Sequence, residues 1–139
     1  MRIWIVLALF LVVAAGQSFA FDFPWGKGGA ASQKAEDLYR EARSAYGSAD
    51  YTKCIDLAGK AIKENPKLAK AYALRGKAYK DMGDVDSAFK DLDKAIKLDP
   101  KLGEAYFIRG QAREIMGEMD KARADYKKGC AAGYRDACR

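Results

Sequence analysis

Residues 66–83 read PKLAKAYALRGKAYKDMG and residues 100–117 read PKLGEAYFIRGQAREIMG, a repetition at an offset of 34 residues. The similarity continues through the second half of each copy, where Asp91 and Asp125 correspond. A fainter third copy lies upstream of residue 66. A fixed period of this length is typical of a solenoid, in which each repeat is one supersecondary unit that stacks on its neighbours.

The middle copy resembles the tetratricopeptide repeat, a 34-residue helix-turn-helix unit with large and small apolar residues at set spacings. The residues that match this pattern are Tyr72, Gly76, Tyr79, Ala88, Leu92, Ala95 and Pro100. We expect Gly76, Ala88 and Ala95 to lie where paired helices approach within about 8–10 Å. The resemblance implies an all-α fold, a right-handed α-solenoid of three repeats over residues 35–68, 69–102 and 103–139.

Turn residues divide each copy into two helices. Asp50 and Asp84 begin the turn between paired helices, with alanine or glycine just before them. Asn65-Pro66 and Asp99-Pro100 end the second helix, because proline disfavours a helical backbone at the residue before it. The sequence therefore predicts six helices, over residues 35–47, 51–64, 69–82, 85–98, 103–116 and 119–131.

The amino end has the pattern of a secretory signal peptide over residues 1–20. Arg2 precedes an apolar run over residues 3–15, and small residues lead up to Ala20, after which we expect cleavage. The run is shorter than the roughly 20 residues that cross a bilayer, so membrane association is expected only if the leader stays uncleaved. We therefore predict an exported protein, either periplasmic or secreted.

Residues 21–34 combine three glycines and one proline with no helical period, which predicts a linker. Phe21, Phe23 and Trp25 are unusual in a spacer. They belong either to a mobile tail or to a segment that docks on the body or on a partner.

The composition excludes several classes of function. The chain is 50% hydrophobic and 32% charged, carries a net charge of +6 and contains no histidine. The absence of histidine excludes Ser-His-Asp and Cys-His catalysis as well as histidine metal ligation. No phosphate-binding loop is present either, so we expect neither an enzyme nor a cofactor. Lysines alternate with acids along the helices, which argues against nucleic-acid binding.

The three cysteines have different surroundings in the sequence. Cys54 aligns with Ala88 and Ala122, which predicts a buried small residue rather than a reactive thiol. Cys130 and Cys138 flank a glycine placed to end a helix, and this spacing resembles that of Sel1-like repeat proteins, in which such a pair forms a disulfide. The resemblance implies a Cys130–Cys138 bridge. A metal site is the rival interpretation, but two thiols without histidine fall short of four ligands.

In the tetratricopeptide repeat family, the first helices of successive repeats line a concave groove that receives a peptide or a partner helix. By alignment with the family's repeats, the residues that we expect to contact the partner in this groove are Tyr39, Arg43, Tyr46, Lys70, Lys77, Lys80, Phe107 and Gln111. The middle of this surface is basic, which predicts a protein or peptide partner with acidic groups. The sequence thus predicts a non-enzymatic adaptor in the cell envelope.

Two other interpretations of the same lysines stay open. They form a solvated surface without a ligand, or the basic face binds an anionic envelope polymer or a membrane surface. The family's carboxylate clamp for chaperone termini is absent. Four of its five positions hold Tyr39, Leu74, Glu104 and Ile108, and only Arg43 suits it.

Arg75 and Arg109 replace a leucine that is usual in the motif, and each has an aspartate sixteen residues further on. We expect Arg75 with Asp91 and Arg109 with Asp125 to form ion pairs between helices that serve structure.

Overall fold

The structure is a computed structural model that describes residues 26–138. Within this range the chain forms α-helices and one short 3-10 turn, with no strand. The helices are α1 (Gly26–Gly47), α2 (Tyr51–Glu64), α3 (Ala69–Asp81), α4 (Val85–Leu98), α5 (Gly103–Ile115) and α6 (Met119–Ala131), and the 3-10 turn is Arg135–Ala137. Each odd-numbered helix packs on the next, and the three pairs stack through α2 on α3 and α4 on α5. The predicted all-α solenoid of three helical hairpins is confirmed.

The predicted bounds of α2, α4 and α6 agree with the structure, and α3 and α5 each end one residue earlier than predicted. Aspartates explain the starts of α2 and α4. The Asp50 carboxylate accepts a hydrogen bond from the Lys53 amide at 3.1 Å, and Asp84 accepts one from Ser87 at the same distance. Each bond satisfies an amide that the first turn of a helix leaves without a partner. Hydrogen bonds from Ser87 also lower the pKa of Asp84.

The first helix is longer than predicted. It begins at Gly26 instead of residue 35, so the linker predicted over residues 21–34 is wrong from residue 26 onward. Two contacts lie at the carboxyl end of the added segment: Gln33 donates to Asp37 at 3.1 Å, and Lys34 pairs with Glu64 of α2 at 2.6 Å. The second of these contacts joins α1 to a neighbouring helix.

The predicted signal peptide over residues 1–20 lies outside the described residues, as do Phe21, Phe23 and Trp25. Among residues 26–138, no helix is long and apolar enough to span a bilayer.

Small residues let the paired helices approach closely. A Cβ atom on Gly76 would lie 3.0 Å from Leu92 Cγ and 3.2 Å from the Ala88 carbonyl oxygen. At the equivalent position one repeat later, a Cβ atom on Gly110 would lie 2.5 Å from the Tyr126 ring. Ala88 and Ala95 are fully buried. The prediction that Gly76, Ala88 and Ala95 lie at helix contacts is therefore confirmed.

The carboxyl end turns back on the last repeat through a disulfide between Cys130 and Cys138. The turn needs Gly133, whose φ of 88° lies in the left-handed region. Residues 130–138 form what we call the hook, and Ala137 in the hook is buried against Gly129 of α6. The expected bridge is present, and Cys54 is free and buried as predicted.

Candidate functional site

The first helices of the three repeats surround a cavity on the concave side of the solenoid. Its volume is about 340 Å³. The lining residues come from α1, α3 and α5 and are Tyr39, Arg43, Tyr46, Gly47, Leu74, Lys77 and Glu104. We call this the groove cavity. It brings together four of the eight side chains predicted for partner binding, namely Tyr39, Arg43, Tyr46 and Lys77.

Two of the predicted lysines pair with carboxylates and lie over tyrosine rings. Lys70 Nζ is 2.6 Å from Glu36 and 4.8 Å from the centroid of the Tyr39 ring. Lys77 Nζ is 3.6 Å from Glu104. Both lysines therefore join neighbouring repeats, and of the two Lys77 lines the groove cavity.

Lys77 also lies 4.7 Å from the centroid of the Tyr46 ring. The Tyr46 hydroxyl donates a hydrogen bond to Asp81. Burial and this hydrogen bond raise the pKa of Tyr46 far above its usual value. Although burial opposes it, hydrogen bonds from Lys80 and Tyr46 lower the pKa of Asp81. Asp81 thus serves as a shared acceptor at one edge of the groove.

Lys80 is the most enclosed of the three lysines, with 13% of its side chain exposed. Its ammonium lies 2.8 Å from Asp81 and donates to Gln111 Oε1 at 3.1 Å. Gln111 is therefore a partner of Lys80 across the α3–α5 junction and does not line the groove cavity.

The basic residues that the sequence predicts in the middle of the groove are paired with carboxylates. Lys70, Lys77 and Lys80 each have a carboxylate within 4 Å. Arg43 is exposed and, among residues 26–138, takes part in no ion pair. The groove cavity thus combines one uncompensated cation with two tyrosine side chains.

Phe107, which the sequence predicts in the groove, lies elsewhere in the structure. Its ring packs against Tyr126 at 5.7 Å and against Tyr134 of the hook at 5.3 Å, measured between centroids. It therefore helps to hold the hook on α5 and α6, and it does not line the groove cavity. The structure also places Glu104 in the cavity, as register predicts for a groove position, together with Leu74, which the sequence reasoning considered only as a clamp position.

The predicted ion pairs between helices are present. Arg75 donates to Asp91 at 2.7 and 2.8 Å, and Arg109 donates to Asp125 at 2.9 and 2.8 Å. The sequence interpretation missed Arg113, which pairs with Asp125 at 2.8 Å. Among the described residues, no cluster of cysteines and carboxylates could hold a metal ion.

The tetratricopeptide repeat family matches residues 69–102 and, through a second family description of the same repeat, residues 103–132. Solved structures share the fold. The Sgt2 TPR domain from Aspergillus fumigatus is 30% identical with a TM-score of 0.68, and the match covers 71% of this chain and 66% of that chain. The OM64 TPR domain from Arabidopsis is 26% identical with a TM-score of 0.68, and the match covers 76% of this chain and 95% of that chain.

The first TPR of Spaghetti (RPAP3), solved with the HSP90 peptide SRMEEVD, is 23% identical with a TM-score of 0.69. That match covers 77% of this chain and 92% of that chain and shows the common fold. The comparison with curated proteins gave no match. Two matched repeats and the stacked helical hairpins therefore make this chain a tetratricopeptide repeat protein.

Proposed function

We propose that this protein is a non-enzymatic adaptor of the cell envelope that binds a peptide or a helix of a partner protein in the groove cavity. One observation carries the proposal: the exposed Arg43 has no carboxylate partner among the described residues and lies in a cavity with Tyr39, Tyr46 and Leu74.

The lining of the cavity favours a particular kind of partner. The Arg43 guanidinium offers several N–H donors in one plane, which suits a carboxylate. Tyr39 and Tyr46 give contact area at a small entropic cost, and Leu74 adds an apolar surface. A partner segment with an acidic side chain next to an apolar one would meet both features.

Solved relatives support the general mode of binding. The TPR domain of Spaghetti (RPAP3) is described with the HSP90 peptide SRMEEVD, and a TPR2B domain of yeast Sti1 is described in an Hsp70 complex. The carboxylate clamp expected for such chaperone termini is missing here, because Leu74 and Glu104 occupy two of its positions. We therefore propose another partner protein for this chain.

Export is part of the same proposal. The pattern over residues 1–20 favours a secretory signal. The Cys130–Cys138 disulfide supports an oxidising compartment, where such bonds persist.

An affinity purification from the envelope fraction, with the full chain as bait, tests the proposal. We expect one protein to be enriched and its capture to fall at least about tenfold with Arg43→Glu, because the change reverses the charge in the cavity. Lys94→Glu, on an exposed position of α4, is the matched control and should leave capture unchanged.

Two results would contradict the proposal. Capture that survives Arg43→Glu would place the binding surface elsewhere. Enrichment of glycan or lipid without protein would favour the alternative, binding of an anionic polymer or a membrane surface through the basic face.

A further inference from the structure

Within residues 26–138, α6 packs on α5 and on the 3-10 turn, and no other helix covers its remaining side. A cavity of about 780 Å³ lies there, formed by the apolar surface of α6, by the disulfide and by the hook. Its lining residues are Glu114, Met119, Arg123, Tyr126, Lys127, Cys130, Ala131, Ala137 and Cys138. We call it the end cavity. Beside it, Ile115, Met116 and Met119 are 63%, 55% and 57% exposed.

The middle repeat shows what such a face receives. There, α5 packs its apolar residues Ala105 and Ile108 against Leu92 and Ile96 of α4. The residues one repeat further on from Leu92 and Ile96 are Tyr126 and Cys130, and both line the end cavity. The end cavity is therefore the place that a seventh helix would take in the repeat register.

Two polar contacts accompany the packing of α5. Lys80 donates to Gln111 at 3.1 Å, and Arg109 donates to Asp93 at 2.6 Å. The first contact joins α3 to α5, and the second joins α5 to α4. The equivalent residues of the other repeats lie 34 positions away along the sequence.

The junction between the first and second repeats has contacts at the two equivalent pairs of positions. Tyr46 stands at the position of Lys80 and lies under Lys77, with 4.7 Å between the ammonium and the ring centroid. Gly59 stands at the position of Asp93, and a Cβ atom there would lie 3.5 Å from the Arg75 guanidinium. Contacts at these two pairs of positions thus occur at both junctions between repeats.

At the end cavity, the residues equivalent to Lys80 and Asp93 have the opposite charges. Glu114 stands where the middle repeat has Lys80, and Lys127 stands where it has Asp93. Neither forms an ion pair with any residue of the described range 26–138. A helix with the charges of α5 would bring an arginine onto Lys127, which is repulsive.

We infer that the end cavity is a second docking site, for an amphipathic helix of another protein. This helix carries a carboxylate opposite Lys127 and a lysine or arginine opposite Glu114. It presents apolar residues at the registers of Ala105, Ile108 and Ala112, which are buried in α5. The site is independent of the groove cavity, which shares no lining residue with it.

A second copy of this chain does not fit as the occupant through its own first helix. At the registers of Ala105, Ile108 and Ala112, α1 has Asp37, Arg40 and Ser44. Asp37 and Arg40 form an exposed ion pair with each other. If this ion pair packed on the apolar surface of the end cavity, both charged groups would lose contact with water without gaining new partners.

Two stapled helical peptides spanning residues 102–116 test the assignment. One has the native sequence, and the other carries Arg109→Glu and Gln111→Lys. Fluorescence anisotropy at low salt should show the exchanged peptide binding the full chain about tenfold more tightly than the native one.

Variants of the protein then locate the site. Lys127→Glu should reverse the preference between the two peptides, and Lys127→Gln should reduce it. Lys128→Glu makes the same charge change at the next residue of α6, outside the end cavity, and should leave the preference unchanged. Circular dichroism of each variant should match the native protein, because both lysines are exposed.

Several results would overturn the inference. They are equal binding of the two peptides, no binding of either, or a preference that Lys127→Glu leaves intact. Binding that is lost with Arg43→Glu would place the peptide in the groove cavity instead. A dimer in sedimentation that dissociates with Lys127→Glu would make a second copy the occupant.

Discussion

Arg109 and Asp125 form a two-point ion pair between α5 and α6, with the guanidinium nitrogens 2.9 and 2.8 Å from the two carboxylate oxygens. Arg75 and Asp91 repeat the arrangement one repeat earlier, at 2.7 and 2.8 Å. The later carboxylate is the more deeply buried, since Asp125 is 1% exposed and Asp91 is 6% exposed.

Loss of the Asp125 charge should destabilise the fold strongly. Asp125→Asn leaves Arg113 without its carboxylate and Arg109 with Asp93 alone, and removal of one partner from a buried pair costs about 3–5 kcal/mol. Asp91→Asn, which leaves only Arg75, should cost less. Urea unfolding followed by circular dichroism measures both variants, and an equal or smaller loss for Asp125→Asn would contradict the order of burial.

The close approach at Gly110 should not tolerate a methyl group. A Cβ atom there would lie 2.5 Å from the Tyr126 ring, which Phe107 also contacts. We expect Gly110→Ala to lower the free energy of unfolding by about 1–3 kcal/mol through overpacking.

The matched control for Gly110 is Gly59, because its nearest non-local atom would be 3.5 Å from an added Cβ atom. Gly59→Ala should stabilise the protein by up to about 1 kcal/mol, since alanine favours a helix over glycine. Destabilisation of similar size at both glycines would mean that helix approach does not limit residue size at Gly110.

Reduction of the Cys130–Cys138 disulfide should destabilise the protein by roughly 2–3 kcal/mol, because it frees a short loop in the unfolded chain. The hook should loosen at the same time and expose the contact between Tyr134 and Phe107. Thermal unfolding with and without reductant measures the effect. A Cys130→Ser, Cys138→Ser double variant should not respond to reductant, and a native protein that does not respond either would contradict the structural role of the bridge.

Stability should fall at alkaline pH because of Cys54. Burial raises the pKa of its thiol to about 11, from an ordinary value of 9.0. The native state therefore keeps the proton that the unfolded chain loses, and the stabilisation present below pH 9 is lost as the pH rises toward 11. Chemical denaturation at a series of pH values measures the slope.

Cys54→Ala supplies the control, since Ala88 and Ala122 occupy the same register in the other repeats. Burial also raises the pKa values of Tyr39 and Tyr134, so some alkaline loss should persist in this variant. An unchanged slope in Cys54→Ala would exclude the thiol as a source of the pH dependence.

Local signals in the sequence predicted much of the fold. The 34-residue period placed the repeats, and Asp50 and Asp84 marked the turns between paired helices. The structure shows both carboxylates bonded to amides in the first turn of the second helix. Gly76 indicated a helix contact because a small residue is needed there. The extension of α1 to Gly26 was not predicted, because the sequence over residues 26–34 has no helical period.

The candidate site was predicted less completely, because its charges are compensated across repeats. Lys77 is paired by Glu104, a residue of the next repeat, and a list of cations along one helix does not show this. Alignment of the repeats predicted Phe107 in the groove, but the Phe107 ring packs against Tyr134 of the hook, at the end of the solenoid. Both differences arise from contacts between elements that are distant in sequence.

Amide hydrogen exchange of the protein, free and saturated with the captured partner, tests binding in the groove cavity most directly. We predict slowed exchange in α1 and α3 around Arg43 and Leu74, with α2 and α4 unchanged, and loss of this protection in Arg43→Glu. Protection confined to α2 and α4 would contradict the groove as the binding surface.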